Sequence, residues 1–597
     1  MPELSTPASP RFVDEVATED PPPSDRHSRF EILHRVGLAL SAERNRERLI
    51  ETILIEAQTL CRAEGGTLYL RNEKDELRFA ILRNEPLGLA LGGTTGHAID
   101  LPPIPVHDPR TGSENHANVA SFAACTQRSV NVDDAYGAVG FDFSGMRSFD
   151  ERHGYRSISL LTIPLENSEG RVLGVLQLIN ARDAVGRIQP FRPDDQRIVE
   201  ALASQAGIAI DNQQLIDGQK QLLESFIVMI AGAIDAESPY TGSHCERVPI
   251  LTEMLTRSLC EAKTGPFADF NLNEEEWYEL RIAAWMHDCG KVATPTHIMD
   301  KATKLQCVYD RLGAVQARFE VMERDAKIAY LEAAFERPAE RAELAAAYER
   351  TCADLRAEFE LLRRANVGGE FLSEAQRVAI RSIAERSYLQ AGERVPLLSQ
   401  DEVDNLSISR GTLTESERLL INGHMVQTVR MLEALPFPRH LRRVPEYASG
   451  HHERMDGKGY PRGVFAGDMS IPARVLAIAD VFEALTATDR PYKPGKKLSE
   501  TMQIMGAMKR ENHLDPELFD HFVRSGVYRQ YAQRYLGSEL IDEVDEAALL
   551  EIKPKPFELP PEDIRDQRWQ EFLPQYRELS SRHVSGLPDP RSRRLLG

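Results

Sequence analysis

The stretch His287-Asp288-Cys289-Gly290-Lys291 decides how the rest of the chain is read. It closes an apolar run in which Trp277, Leu280, Ile282, Ala283, Ala284, Trp285 and Met286 predict a buried helix. Polar atoms left at the end of such a helix must be satisfied, and a divalent metal satisfies His287 and Asp288 together. Gly290 is expected to release the helix and let the backbone turn. Lys291 then sets a positive charge beside the metal, where an anionic substrate would sit. A lone His-Asp pair is commonplace, so its weight comes from four other polar clusters on or beside helical patterns.

The first of these is Tyr240-Thr241-Gly242-Ser243-His244, followed by Glu246-Arg247-Val248. Gly423-His424 lies inside the helical run 419–435. A polar stretch follows, Gly450-His451-His452-Glu453-Arg454-Met455-Asp456-Gly457-Lys458-Gly459-Tyr460-Pro461. Asp480 then stands in the run 471–482, which is apolar on nearly every side. An unpaired carboxylate in that core costs several kcal/mol, so it requires a cation. Each cluster has an ordinary alternative: a buried histidine can be a hydrogen-bonded core residue, and Asp480 can pair with Arg474. One shared site explains all five more simply. Five histidines and two aspartates exceed the needs of one tetrahedral ion and suit two metals bridged by a carboxylate and a water-derived hydroxide. Imidazole with carboxylate favours Fe, Mn or another transition metal over Mg or Ca.

The order of these clusters closely resembles the HD-GYP family, the bacterial phosphodiesterases of cyclic di-GMP. His287 and Asp288 match its His-Asp, Lys291 its lysine, and Gly459-Tyr460-Pro461 its Gly-Tyr-Pro. His244, His424, His451, His452 and Asp480 match the remaining metal ligands, and Arg490-Pro491-Tyr492-Lys493 the segment whose arginine and lysine hold substrate phosphate. The resemblance covers most of 219–540 and implies an all-helical HD-domain core acting on cyclic di-GMP. Asp288 would bridge the two metals, and the bridging water would attack phosphorus in line with the departing 3′-oxygen. Lys291 would help to stabilise the transition-state charge, while Arg490 and Lys493 would grip the other phosphate. Tyr460 either stacks on guanine or supports the loop, and Gly457 and Gly459 are expected to let the loop approach a ligand closely.

Two departures from the family pattern stand out. Members with a third metal carry a glutamate one helical turn before the first histidine, where this chain has Tyr240; the implication is two metals, with linear pGpG as the main product and GMP as a further one. The stretch between Lys291 and His424 is also far longer than the family's usual link. Within 306–410, Leu312, Val315, Phe319, Met322 and Ala326, and then Leu355, Phe359 and Leu362, step by three and four on either side of Pro338. This predicts an inserted helical hairpin with arms of about 25 residues, each ~38 Å long. It is a partner-docking arm, a dimer contact, a lid or a solvated spacer.

Upstream, Phe30 to Ile55 has helical periodicity. Two hairpins follow, one through the turn Asn72-Glu73-Lys74-Asp75 and one through Asn167-Ser168-Glu169-Gly170, and a long helical pattern then covers 193–235. This order predicts an α+β sandwich over 28–215. Ile163-Pro164-Leu165, Gly174-Val175-Leu176-Gln177-Leu178-Ile179-Asn180 and Phe191 with Asp194-Asp195 resemble a GAF domain. GAF domains sense small molecules or dimerise. Asn180, Phe191 and Asp194 align with the signature of cyclic-nucleotide-binding members, but Ala181 and Asp195 replace its lysine and glutamate. The implication is a regulatory or dimerising fold with an unknown small molecule or none. Cys125 reads as structural rather than as a chromophore or haem anchor. The connecting helix, 195–235, either transmits a change between domains or is a rigid spacer, and a parallel homodimer is expected from it.

Composition fits this reading. The 597 residues suit several domains, and the net charge of -20 argues against nucleic-acid or anionic-membrane partners. Seven scattered cysteines read as reduced thiols of a cytoplasmic protein, and no apolar run approaches the about 20 residues of a membrane span. Residues 1–27 are expected to be a disordered leader and 541–597 a Pro-rich extension, with Trp569, Phe572 and Tyr576 available to dock a short helix. Two rival functions use the same residues: a weakly catalytic cyclic-dinucleotide receptor signalling through the insertion, and a phosphohydrolase of another cyclic dinucleotide.

Overall fold

The computed structural model describes residues 34–40, 42, 43, 45–237, 244–369, 371–488, 495–561 and 574. The expected leader and the residues Trp569, Phe572 and Tyr576 lie outside them. The chain divides into two compact units between Leu222 and Leu223. All seven cysteines are free thiols. Among the described residues no helix is long and apolar enough to cross a membrane.

The first unit is the expected antiparallel sheet with helices. Its strands are β1 (Ala63–Arg71), β2 (Glu76–Asn84), β3 (Leu89–Gly92), β4 (Ile104–Pro105), β5 (Val130–Val132), β6 (Leu160–Glu166), β7 (Val172–Arg182) and β8 (Ile188–Gln189), in the order β3-β2-β1-β7-β6-β5. The β4 strand pairs with β2, and β8 with β7. Both predicted hairpins are present, with Leu70 opposite Arg78 and Leu165 opposite Gly174. The helix Arg46–Cys61 buries Leu49, Ile50, Ile53 and Leu54 against one face of the sheet, at the three-to-four spacing of an amphipathic helix. The long helix Pro193–Glu237 joins that layer through Val199, Leu202, Ala203, Ala206 and Ile210. It packs so closely that a Cβ on Gly207 would lie 2.0 Å from the carbonyl oxygen of Glu166.

Asn180 has a structural task. It is buried at φ 57°, a left-handed conformation that asparagine tolerates better than most residues. Its amide nitrogen shares its two hydrogens among Glu64 Oε2, Tyr155 Oη and Arg156 O, each 2.8 Å away, and its Oδ1 accepts from Ile158 N at 2.7 Å. Its amide group is thus fully engaged in holding β7 to the segment before β6. Asp195 is likewise engaged, accepting two hydrogen bonds from Arg192.

The second unit is mostly helical. Its core packs Val248, Leu251, Leu255 and Leu259 of the helix His244–Cys260 against Val475, Leu476, Ile478, Ala479 and Phe482 of the helix Ile471–Thr486. Leu518, Phe519 and Phe522 close the other side, with the rings of Phe482 and Phe522 edge to face at 5.3 Å. Packing extends beyond residue 540, since Leu549 belongs to the same cluster.

The insertion contains the two expected arms, the helices Leu312–Glu336 and Arg341–Asn366, which turn at Pro338–Glu340. It also holds the helices Glu374–Ala384 and Gln400–Leu406, and a short hairpin of Ser387–Gln390 with Glu393–Pro396. Val315, Phe319, Leu355, Leu362, Ile380 and Leu406 form a core of its own. Its root is fixed by the buried Lys301, whose Nζ meets both oxygens of Glu417 at 2.8 Å and Asn405 Oδ1 at 2.7 Å. The insertion is therefore packed at its base rather than a solvated spacer along its whole length.

Candidate metal centre

Five helices carry the sequence-predicted ligands to one place. The helix Glu274–Met286 starts at a reciprocal cap between Asn273 and Glu276 and ends at His287. Asp288 follows, and the chain continues as a 3-10 turn, Cys289–Ala293. The helix is released and the backbone turns here as expected, but Gly290 does so without a positive φ. Its role is close packing: a Cβ there would lie 2.0 Å from the carbonyl oxygen of His424 and 2.5 Å from Thr428 N. That contact presses the turn onto the helix Glu415–Glu433, which bears His424 and is itself capped reciprocally by Thr414 and Glu417. His451 and His452 follow the short helix Val444–Ser449, His244 begins the helix His244–Cys260, and Asp480 is buried in the helix Ile471–Thr486.

The seven residues form two groups that share Asp288. His244, His287, Asp288 and Asp480 make one, and Asp288, His424, His451 and His452 the other, each with ligand atoms within 4.8 Å of one another. The two carboxylate oxygens of Asp288 face different groups. Its Oδ2 lies 3.3 Å from His244 Nε2 and 3.2 Å from His287 Nε2, whereas its Oδ1 lies 3.3 Å from His424 Nε2 and 3.8 Å from His451 Nε2. Asp480 Oδ1 is 3.3 Å from His244 Nε2. Ligands about 2.1 Å from a common ion stand roughly 3.0–3.4 Å apart, so most of these separations already match the edges of a coordination shell.

The tautomers are set from behind. Nδ1 of His287 donates to Ala284 O at 2.8 Å, that of His424 to Ile421 O at 2.6 Å, and that of His451 to Ala448 O at 2.7 Å. A carbonyl can only accept, so in each neutral ring the lone pair is on Nε2 and points into the site. His244 Nδ1 instead meets Glu483 Oε2, a carboxylate–histidine pair of the kind that orients metal-binding imidazoles. Nε2 of His287, His424 and His451 and Oδ1 of Asp288 are buried and make no hydrogen bond among the described residues. Four converging orphans of this kind are costly unless a cation joins them. The donor set of imidazoles and carboxylates fits a divalent transition ion.

The electrostatics agree. Burial pushes the Asp288 carboxyl up, but Lys291, His287 and His244 outweigh it and hold it well below the usual carboxylate range. Lys291 Nζ pairs with Asp288 Oδ2 at 2.5 Å. Burial pulls the His244 imidazole down, yet Asp288, Asp480 and Glu483 raise it well above its ordinary value. The field that favours a proton there also favours a metal cation. Burial, with the neighbouring imidazole of His287, lowers His451 to about 4, and burial also lowers His452, so both are neutral at pH 7, the form in which imidazole binds a metal.

The Gly459-Tyr460-Pro461 loop borders this site. The ring of Tyr460 stacks on His452 at 4.8 Å, and Tyr460 N donates to His452 O at 3.2 Å. The missing side chains of Gly457 and Gly459 make room for the protein itself. A Cβ on Gly457 would meet the Phe465 ring at 2.3 Å, and one on Gly459 the backbone of Glu453 and Arg454 at 2.5 Å. The loop is held by Glu453, which accepts from the backbone N–H groups of Arg462, Gly463 and Val464. Burial raises its carboxyl to about 7 against those bonds. Asp480 does not pair with Arg474, which goes instead to Asp515 at 2.9 Å. Arg490, Lys493 and Tyr240 lie outside the described residues.

Sequence reasoning missed Glu483 and Glu453. Glu483 is one helical turn beyond Asp480 on the same buried face, and Glu453 directly follows His452, so both carried a positional signal.

A family model of the HD domain matches residues 400–518, and one of the GAF domain matches 45–210. The chain is 42% identical over 123 residues to a 3′3′-cGAMP-specific phosphodiesterase of Vibrio cholerae, covering 21% of this chain and 27% of that protein. It is 33% identical over 147 residues to a second Vibrio cholerae phosphodiesterase of that specificity, covering 24% of this chain and 30% of that protein. It is 38% identical over 119 residues to a cyclic di-GMP phosphodiesterase of Pseudomonas aeruginosa, covering 20% of this chain and 28% of that protein. The chain thus spans under a third of the length of these relatives. It carries a GAF domain followed by an HD domain, and the HD match holds His424, His451, His452 and Asp480. His244, His287 and Asp288 precede the matched segment, and the fold brings them to it.

Proposed function

We propose that this GAF–HD chain is a metal-dependent phosphodiesterase of the HD-GYP type that opens cyclic di-GMP to linear pGpG, with GMP as a further product. The carrying observation is the pair of His/Asp groups sharing Asp288, with four buried donor atoms that no hydrogen bond from the described residues satisfies. His244, His287, Asp288 and Asp480 would hold one ion and Asp288, His424, His451 and His452 the other, Fe or Mn by donor chemistry. Two such ions supply Lewis-acid polarisation of a phosphoryl oxygen and a nucleophilic water at neutral pH.

The chain's own groups have separable tasks. Asp288, kept ionised by Lys291, offers one oxygen to each group. Glu483 fixes the His244 ring and makes it a stronger donor. Lys291 sets a positive charge where phosphate charge accumulates. Tyr460 walls the site against His452, and a guanine base stacks beside it. Arg490 and Lys493 grip the second phosphate.

The GAF domain regulates this activity through the helix Pro193–Glu237, and the protein acts as a homodimer. Ile208, Leu215, Leu222 and Met229 recur on that helix every seven residues and are all exposed, the pattern of a coiled-coil seam.

A second reading, hydrolysis of a mixed cyclic dinucleotide, draws support from the names of two of the relatives, both 3′3′-cGAMP-specific. The test is turnover by the full chain loaded anaerobically with Fe(II) or Mn(II), given cyclic di-GMP and 3′3′-cGAMP separately, with Asp288→Ala as control. Metal-dependent pGpG formation, faster than cGAMP cleavage and absent from the variant, is expected. Faster cGAMP cleavage selects the second reading. Binding of both without turnover selects a receptor, and neither binding nor turnover sinks the proposal.

A further inference from the structure

A second donor set lies in the first unit, apart from the His/Asp centre. Glu114, His116 and Cys125 bring a carboxylate oxygen, an imidazole nitrogen and a thiol sulfur within 4.8 Å of one another. His116 Nε2 meets Glu114 Oε2 at 2.7 Å, and the ring edge of His116 rests on Phe122 at 5.3 Å. Cys125 comes from the helix Val119–Thr126, capped by Asn118.

These three residues are tied to a common anchor, the carbonyls of Pro105 and Val106. Asn115, between Glu114 and His116, donates its backbone N–H to Val106 O at 2.8 Å and its side-chain amide to Pro105 O at 2.9 Å. Ser121, on the helix of Cys125, places its Oγ 3.2 Å from both carbonyls, and Cys125 Sγ is 3.4 Å from Val106 O. Behind Glu114, an antiparallel bridge pairs it with His107, whose Nδ1 meets Asp75 Oδ2 at 2.6 Å. The donors are therefore positioned by hydrogen-bonded backbone on both sides.

We propose that Glu114, His116 and Cys125 bind one divalent transition ion of the zinc class in the GAF domain. The three donors leave a fourth tetrahedral position, which the solvent exposure of Glu114 and His116 keeps open to water or a small ligand. Sulfur excludes Mg and Ca as good occupants. Binding replaces the S–H bond of Cys125 by a sulfur–metal bond and releases the proton to solvent. This gives the sensory domain a ligand of stated chemistry, independent of the phosphodiesterase reading.

The test is a cobalt(II) titration of the full chain. The His/Asp centre offers only imidazole and carboxylate donors, so a thiolate-to-cobalt charge-transfer band arises outside it, and its loss in Cys125→Ser assigns it to the GAF site. The expected result is one equivalent of this band. Cys125→Ser removes the band and lowers bound metal by one ion per chain. His116→Ala, at an exposed position and so safe for folding, weakens cobalt binding by at least about tenfold. No band at micromolar cobalt, or a band and metal count unchanged in Cys125→Ser, overturns the proposal. Should Cys125→Ser fail to fold, unchanged cobalt affinity in His116→Ala overturns it equally.

Discussion

Replacing Gly290 by alanine adds one carbon at the tightest point of the His/Asp centre. The added Cβ would lie 2.0 Å from His424 O, 2.5 Å from Thr428 N and 2.7 Å from Thr428 Oγ1. The two closest atoms are backbone of the helix Glu415–Glu433, so no rotamer relieves the overlap. An ordinary contact near 3.5 Å requires the turn and the helix to separate by about 1.5 Å. That stretches the 3.0 Å bond from Gly290 N to Thr428 Oγ1 past the hydrogen-bond limit. It also takes the 3.3 Å separation of Asp288 Oδ1 and His424 Nε2 beyond what one ion spans with bonds of about 2.1 Å. Overpacking costs about 1–3 kcal/mol and the lost bond about 1 more. Urea unfolding of the metal-free protein should therefore show a midpoint shift worth about 2–4 kcal/mol. Metal analysis should show loss of the ion proposed at His424, His451 and His452, with the other retained. Wild-type stability together with full metal content in Gly290→Ala would refute the reasoning.

Other perturbations probe separate parts. Glu483→Gln leaves His244 Nδ1 a neutral acceptor in place of a carboxylate, and metal affinity at the His244 group should fall about 10–100-fold in a chelator competition. Burial lowers the Lys304 amine to about 8 from its ordinary 10.5, so its folded form binds fewer protons than its unfolded form between those values. Stability should then rise as pH climbs from about 8 to 10.5, by at most about 3 kcal/mol, and level off below 8, where both forms are protonated; Lys304→Met should flatten this profile, and an unchanged slope would count against it. Gly207→Ala, with its Cβ 2.0 Å from Glu166 O, should lower the unfolding midpoint of the GAF unit by about 1–3 kcal/mol while leaving the metal content of the His/Asp centre intact.

Among the candidate ligands, His287, His424 and Asp480 were legible as polar groups where an apolar helix has no other use for one, whereas His244, His451 and His452 stood in polar stretches and were marked by the family resemblance. Asp480 is the sharpest case, a carboxylate among Ala477, Ile478, Ala479 and Phe482. The two hairpins of the first unit were legible through their alternation and turn residues. The glycines were visible, but a sequence reveals a missing Cβ without revealing what that Cβ would strike. For Gly290 the obstacle is a helix more than a hundred residues downstream. The strands at Ser387–Gln390 and Glu393–Pro396 are four residues each and mostly exposed, so they left no burial pattern to read. Their turn at Ala391-Gly392, both at positive φ, was the one local sign. Arg474 looked like a partner for Asp480 by proximity in sequence; its real partner, Asp515, is reached only through the packed helices.

The central claim is that one carboxylate serves two ions, and the most direct test is to count metals in two variants of the purified chain. His451→Ala removes a donor from one group only, so it should lose at most one ion. Asp288→Ala removes an oxygen from each group and should lose both. If Asp288→Ala instead keeps both ions, or loses no more than His451→Ala, Asp288 is not the bridge and the site does not work as described.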